Sequence, residues 1–346
     1  MFQHFTTSII NKYFFIFLFF FASNISCQAV SNDDITFDDK PLKEALVLPS
    51  WFKLSFLEIA DDIEEARQKN KKGLIVYFGQ KFCPYCKAHI TKNWGQKDIV
   101  NYTQKNFDVI AINVKGQRSV LAANGKTYTE KTFSALKKTN FTPSVLFYNT
   151  QGKEILRLRG YRPPYQFRAA LEYVADAHYK KETFRNYLAR AEAALSFGKV
   201  ELNKNDLFNL PPHLLDRSKI KAEQPLMVIF ERKRCHACDV LHGGPLTTPE
   251  IEAELLKLES VQLDVNSEQT IITPKGQKIS INQWAEKLNI NYSPTIIFFD
   301  EKGKEIIRIE SVVWFYRLRN VLNYVLSGGY KKYPNFQLWR QEKNIK

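Results

Sequence analysis

The second half of the chain repeats the first. Asn113–Val114 corresponds to Asp264–Val265, and the same spacing of 151 residues carries Gly125 to Gly276, Phe133 to Trp284, Phe141 to Tyr292, Pro143 to Pro294 and Gly152 to Gly303. Between Pro143 and Lys181, fifteen of thirty-nine positions are identical in the second copy, including Gly-Lys-Glu-Ile and the closing Tyr-Lys-Lys. An ungapped duplication of this size calls for two copies of one fold. A chain of 346 residues is long enough for each copy to bury its own core.

Each copy reads β-α-β-α-β-β-α. In the first, Asp61–Lys69 reads as a helix before the apolar strand Leu74–Gly79. Phe107–Val114 is a second buried strand, Thr129–Lys138 a helix, and Ser144–Tyr148 with Glu154–Arg159 a hairpin turned at Gly152. Gln166–Tyr179 closes the copy as an amphipathic helix. The second copy runs through Leu226–Phe230, Val261–Val265, Ile281–Leu288, Thr295–Phe299, Glu305–Ile309 and Tyr316–Leu326. This places the first unit at 50–182, a helical and irregular connector at 183–222, the second unit at 223–333 and a tail at 334–346. Thr183–Leu195 reads as helical within the connector, and Pro211–Pro212 as a break.

Residues 1–29 read as a secretory signal peptide. Lys12 precedes the apolar run Tyr13–Ala22, followed by small and polar residues to Ala29. The run is too short for a good membrane-spanning helix. Cleavage after Ala29 is the expectation; an uncleaved anchor and lipidation at Cys27 are the alternatives. Export would place the protein in the periplasm. The formal net charge of +14 is spread along the chain, with no block of five or six like charges. That pattern describes solvated helix faces and lacks the basic, aromatic-interleaved stripe of a nucleic-acid binder.

Apart from Cys27, the cysteines form two C-x-x-C pairs, Cys83/Cys86 and Cys235/Cys238, each just after an apolar strand. In an exported chain such pairs serve as structural disulfides, metal ligands or redox centres. A shared Cys₄ zinc site would have to draw on both repeats. Lys87 and Asp239 stand where haem attachment needs a histidine. At a strand–helix junction the first cysteine meets unpaired backbone N–H groups and the helix dipole, which favour its thiolate. The two-residue spacing lets the second sulfur resolve a mixed disulfide formed by the first. Thr142-Pro143 and Ser293-Pro294 each precede an apolar strand, 60 and 59 residues beyond the first cysteine. A cis bond is the minority state of X–Pro, but the matched placement makes it the expectation at both. It would turn backbone N–H and C=O groups toward the sulfurs, ready to pair with an extended substrate peptide.

The strand, C-x-x-C, helix and later Thr-Pro or Ser-Pro resemble the thioredoxin fold. Over about residues 50–180, Ser50-Trp51-Phe52, Tyr77-Phe78-Gly79, Cys83-Pro84-Tyr85-Cys86-Lys87, Thr127-Tyr128-Thr129-Glu130-Lys131, Phe141-Thr142-Pro143 and Gly160-Tyr161-Arg162-Pro163-Pro164 resemble SoxW-type periplasmic thioredoxin-related proteins. The second copy resembles the thioredoxin superfamily in general.

The resemblance implies an α/β chain of two tandem thioredoxin-like folds, each a central mixed β-sheet flanked by helices. It implies a disulfide reductase of periplasmic partner proteins, re-reduced by a membrane thiol-transfer protein of the DsbD or CcdA type, with no cofactor. Cys83 and Cys235 would attack, Cys86 and Cys238 would resolve, and Thr142, Pro143, Ser293 and Pro294 would shape the substrate groove. An oxidase or isomerase, and a non-catalytic module with static disulfides, are the alternatives.

There are departures from the family pattern. Phe82 and Arg234 replace the usual tryptophan before the first cysteine. Tyr77 and Ile229 replace the buried acid six residues before it, leaving water or Tyr77 to handle the proton. The second copy has Ser311-Val312-Val313-Trp314-Phe315 in place of the Gly-Tyr-Arg-Pro-Pro segment. His236 either tunes the Cys235 thiolate or rests in solvent, while His89 and His242 read as non-catalytic. The basic run Arg232-Lys233-Arg234 would make the second pair the more oxidising, with electrons passing from the first unit to the second.

Overall fold

The computed structural model describes residue 1 and residues 34–192 and 199–345. The signal-peptide expectation, Cys27 included, falls outside the described residues.

The first unit opens with α1 (Ile59–Gln68) and β1 (Gly73–Gly79). Next comes the short helix α2 (Pro84–Ala88), which carries Cys86 and widens into a π turn at His89–Asn93. After it come α3 (Lys97–Asn106), β2 (Phe107–Asn113), a small hairpin of β3 (Ser119–Leu121) and β4 (Thr127–Thr129), and α4 (Glu130–Leu136). The unit closes with β5 (Ser144–Asn149), β6 (Glu154–Arg159) and α5 (Pro164–Ala175). Helix α6 (Phe184–Glu192) lies in the connector.

The second unit repeats this order. It has β7 (Leu226–Glu231), the cysteine-bearing helix α7 (His236–Gly243), α8 (Pro249–Leu255), β8 (Glu259–Asp264), β9 (Thr270–Ile272), β10 (Lys278–Ser280) and α9 (Ile281–Lys287). Then come β11 (Thr295–Phe299), β12 (Glu305–Ile309), α10 (Phe315–Leu326), α11 (Gly329–Lys332) and α12 (Phe336–Glu342). Three features were not legible in the sequence: α3 with its counterpart α8, the small hairpins, and α12.

Each unit is built on a mixed four-stranded sheet, ordered β2-β1-β5-β6 in the first and β8-β7-β11-β12 in the second. The first pair in each is parallel and the rest antiparallel. Strand β1 is buried at every position, as a central strand covered on both faces must be. Its alternation divides the core: Ile75 and Tyr77 face α2 and α5, while Leu74, Val76 and Phe78 face α1 and α4. The duplication reaches the caps. Thr129 begins α4 and Ser280 begins α9, each in a reciprocal capping box with the residue three positions on, Thr132 or Gln283.

The two units pack against each other around a pseudo-twofold axis. Residues 151 apart in sequence meet directly: Arg159 Nη1 lies 2.8 Å from Glu310 Oε2, and Val312 N donates to Tyr161 O at 3.2 Å. Such self-pairing is the mark of an isologous interface. Gly160, at φ +86°, sits where the chains come closest; a Cβ there would lie 2.3 Å from Ser311 Oγ, the residue at its own matching position.

Candidate active site

Strand β1 delivers Cys83, and β7 delivers Cys235, to the N-cap of a helix. Both hold extended backbone there, φ −97° and −116°. In the structure each pair is closed as a disulfide, with Cα atoms 5.1 and 5.2 Å apart. The backbone N–H of the second cysteine donates to the first sulfur, at 3.0 Å for Cys86 and 3.2 Å for Cys238. The same donor would stabilise a thiolate after reduction. Pro84 at the first helical position leaves no N–H to satisfy.

The bonds Thr142-Pro143 and Ser293-Pro294 are both cis; Pro211-Pro212, read as a simple break, is cis as well. Cys83 Sγ lies 3.6 Å from Thr142 O and 3.3 Å from Thr142 Oγ1, and Cys235 Sγ lies 3.5 Å from Ser293 O. The structure therefore brings each cysteine pair against its own proline loop, twice and in the same way.

What the sequence did not disclose is that each loop is held by the opposite unit. Asn140, before the first loop, is bonded by Asn335 Nδ2, Phe336 N and Gln337 Nε2 from α12 and its cap. Its partner in the repeat, Asn291, is bonded by Arg162 Nη2 at 2.9 Å. Arg162 lies over the Tyr292 ring, with its guanidinium carbon 4.5 Å from the ring centre. On the other side, Arg317 of α10 donates to Thr142 O at 2.9 Å. The carbonyl before the first cis-proline thus already accepts a hydrogen bond from the second unit. Consistent with this closure, Cys83 is 3% and Cys235 5% exposed, and Cys86 and Cys238 are buried. Phe82, beside Cys83, stays exposed.

Tyr85, between the first two cysteines, belongs to the same closure. Its hydroxyl donates to Asp39 Oδ2 and accepts from Trp314 N, both at 2.9 Å. The Arg317 guanidinium lies over its ring at 3.3 Å. Burial raises the Tyr85 phenol well above its ordinary pKa. The segment around Asp39 therefore completes the site from a stretch that the sequence reading left outside the first unit.

Tyr77 does not fit the proton-handling expectation. It is fully buried, its hydroxyl has no hydrogen-bond partner among the described residues, and burial raises its pKa. A neutral phenol in that setting supplies no base for Cys86. The second unit carries a group that sequence reasoning missed. Glu231 ends β7 fully buried, with His242 Nε2 at 3.1 and 3.2 Å and Gln262 Nε2 donating at 2.6 Å. His242 lies four residues beyond Cys238 on α7, so it shares that face one turn on. The first unit has Gly79 at the position of Glu231 in the matching strand register. An acid closing an apolar strand was the available signal.

The charge pattern also differs from expectation. Lys233 and Arg234 are exposed, where solvent and salt screen them. His236 opens α7 half-buried. A buried cation, Arg317, does reach the first cysteine site, on the Thr142 carbonyl, and it comes from the second unit.

This constellation defines a class. The chain belongs to the thioredoxin-like domain family, which matches it twice, at residues 59–175 and 213–326, together more than half its length. No curated protein matches the chain. Among solved structures it is similar to a thioredoxin-fold protein from Helicobacter pylori, at 22% identity over 36% of this chain and 83% of that one, TM-score 0.31. It is also similar to a thioredoxin from Thermus thermophilus, at 20% identity over 32% and 79%, TM-score 0.26. A third is a disulphide isomerase from Xylella fastidiosa Temecula1, at 16% identity over 43% and 98%, TM-score 0.25. Likeness at these levels says nothing about activity.

Proposed function

We propose that the protein is a thiol–disulfide oxidoreductase with two centres, of the SoxW-type periplasmic class. It reduces disulfides in exported partner proteins and draws electrons from a membrane thiol-transfer protein of the DsbD or CcdA type. One observation carries this reading: in both units the first sulfur sits at a helix N-cap, receives an N–H from the second cysteine, and faces the carbonyl before a cis-proline within 3.6 Å. Cys83 and Cys235 attack, Cys86 and Cys238 resolve, and no cofactor enters the cycle. An oxidase or isomerase would use the same atoms with a different electron flow.

A specific observation favours a second reading, a non-catalytic module with static disulfides. All four sulfurs are buried, and Arg317 occupies the groove carbonyl of the first unit. Trapping separates the two. Reduced Cys86→Ala and Cys238→Ala variants, mixed with oxidised insulin, are expected to hold it as a mixed disulfide on a non-reducing gel. Variants that also lack Cys83 or Cys235 at the same centre are expected to hold none. If neither single variant captures insulin, the static reading stands.

A further inference from the structure

The two grooves are closed to different degrees. Thr142, before the first cis-proline, is 3% exposed, and its carbonyl accepts from Arg317 Nη2 at 2.9 Å. Ser293, before the second, is partly exposed. Its carbonyl faces Cys235 Sγ at 3.5 Å, and among the described residues no side chain of the first unit donates to it. The residue between the cysteines differs in the same sense. Tyr85 is buried, its hydroxyl held between Asp39 Oδ2 and Trp314 N and its ring covered by the Arg317 guanidinium. Its counterpart Ala237 is half-buried, and a methyl group offers the opposite unit no hydrogen bond.

The difference originates in the repeat. The position that is Arg317 in the second copy is Gln166 in the first. Arg317 reaches across to the first groove, whereas Gln166 has its amide on Tyr165 and Arg162 of its own unit. The arginine with which the first unit crosses the axis, Arg162, binds Asn291 and covers the Tyr292 ring, just short of Ser293. Space follows the same division. The cavity of about 170 Å³ beside the first pair has Tyr316, Arg317, Phe336 and Gln337 of the second unit in its walls. A small molecule fits there; a strand laid along buried Thr142 would have to push Arg317 aside. Beside Ser293 lies a cavity of about 130 Å³ lined by Arg185, Leu188, Arg232, Val265, Ile290 and Tyr292. It has room for one side chain of a peptide whose backbone pairs with Ser293.

We propose that the two centres divide substrates. The second pair is the preferred centre for disulfides in extended polypeptide segments, which pair their backbone with Ser293, while closure leaves the first pair better suited to small disulfides. The proposal rests on the thiol–disulfide reading of both pairs. The Cys235 thiolate attacks one sulfur of the substrate RS–SR′. That bond breaks, R′S⁻ leaves, and a Cys235–SR disulfide forms. The Cys238 thiolate then attacks Cys235 Sγ and RS⁻ leaves. Two electrons pass from the dithiol to the substrate, and the two thiol protons end on RSH and R′SH.

The test uses two full-length proteins, each with one attacking sulfur. One carries Cys86→Ala, Cys235→Ser and Cys238→Ser; the other carries Cys238→Ala, Cys83→Ser and Cys86→Ser. Each is timed with neutral 4,4′-dithiodipyridine and with a neutral unstructured peptide whose cysteine is capped by the same thiopyridine, so both probes release one chromophore. The ratio of peptide rate to small-molecule rate is expected to be about tenfold higher at Cys235 than at Cys83, the factor one well-made hydrogen bond contributes. N-methylation of the peptide beside its cysteine is expected to abolish the advantage at Cys235 and to leave Cys83 unchanged. Arg317→Lys, which gives up the two-pronged fork, is expected to raise the ratio at Cys83 about threefold. Equal ratios at the two sulfurs, an advantage that survives N-methylation, or a ratio at Cys83 unmoved by Arg317→Lys would overturn the division while leaving the exchange reading intact. Failure of both sulfurs to react with dithiodipyridine would overturn both.

Discussion

Replacing Arg317 by alanine is expected to destabilise the protein by about 3–5 kcal/mol, the cost of removing one partner from a buried charged network. Arg317 lies within α10, yet its guanidinium is buried between the units. It donates to Thr142 O and Ser311 Oγ, both at 2.9 Å, covers the Tyr85 ring, and supplies the positive charge near buried Asp39. Burial pulls its pKa below the usual arginine value, while Tyr85 and Asp39 push it back up. Alanine would strand the Thr142 carbonyl and leave a carboxylate without its cation. The same change should loosen α10 from the first groove, so reduced Cys83 should alkylate faster than in the parent. Arg317→Lys keeps the charge but loses the two-pronged fork, and should recover only part of the loss. Urea unfolding followed by tryptophan fluorescence gives the first number and iodoacetamide kinetics the second. An alanine variant within about 0.5 kcal/mol of the parent, the scatter of ordinary surface changes, would show that Arg317 does not hold the units together.

Acid should destabilise the fold through His89. Its ring is buried among Tyr77, Trp94 and Phe167, with ring centres 4.5 to 5.8 Å away. Asn93 Nδ2 lies 2.9 Å from His89 Nδ1, while Nε2 has no hydrogen-bond partner among the described residues. The ring is therefore neutral, with Nδ1 accepting and Nε2 carrying the proton. Burial drives its pKa from 6.5 down to about 3. Between those values the unfolded chain binds a proton that the folded chain refuses, so stability falls as pH falls. The loss is about 1.4 kcal/mol per pH unit below 6.5, or roughly 3 kcal/mol by pH 4.5. Above pH 6.5 the effect is absent. His213, also lowered by burial, acts in the same direction. Titrating carboxylates add a background common to any variant, so the readout is a difference. Unfolding free energy measured from pH 7.5 to 4.5 should fall more steeply in the parent than in His89→Gln. Parallel curves would contradict the assignment.

Much of each unit was legible because its signals are local. Apolar runs such as Leu74–Phe78 gave the central strands, Thr129–Lys138 and Ile281–Leu288 gave the matched helices, and the repeat placed each proline opposite its cysteine. Helix α3 escaped because its inward face is Ile99, Thr103 and Asn106, too polar to show a helical stripe. Helix α12 escaped because seven residues in a presumed tail carry little periodicity, although Phe336 and Trp339 anchor it in the core. The closure between units was hidden for a different reason. Tyr85, Asp39 and Arg317 are far apart in sequence, and a buried polar network leaves no periodic trace. One trace did exist: Arg159 and Glu310 occupy the same repeat position with opposite charge, as a pseudo-twofold contact allows. The basic run before Cys235 shows the same limit: sequence gives its charge but not its exposure, which is high at Lys233 and Arg234 and lower at Arg232.

A two-centre oxidoreductase must turn over at these two cysteine pairs. Dithiothreitol-driven reduction of insulin, followed by turbidity, measures this directly when the full chain is compared with versions keeping only Cys83/Cys86, only Cys235/Cys238, or neither. A two-centre oxidoreductase predicts precipitation well ahead of dithiothreitol alone for the full chain. It also predicts measurable acceleration from each single-pair version and none from the version lacking both. Identical curves with and without the intact protein would contradict it and leave two static disulfides in a thioredoxin-like scaffold.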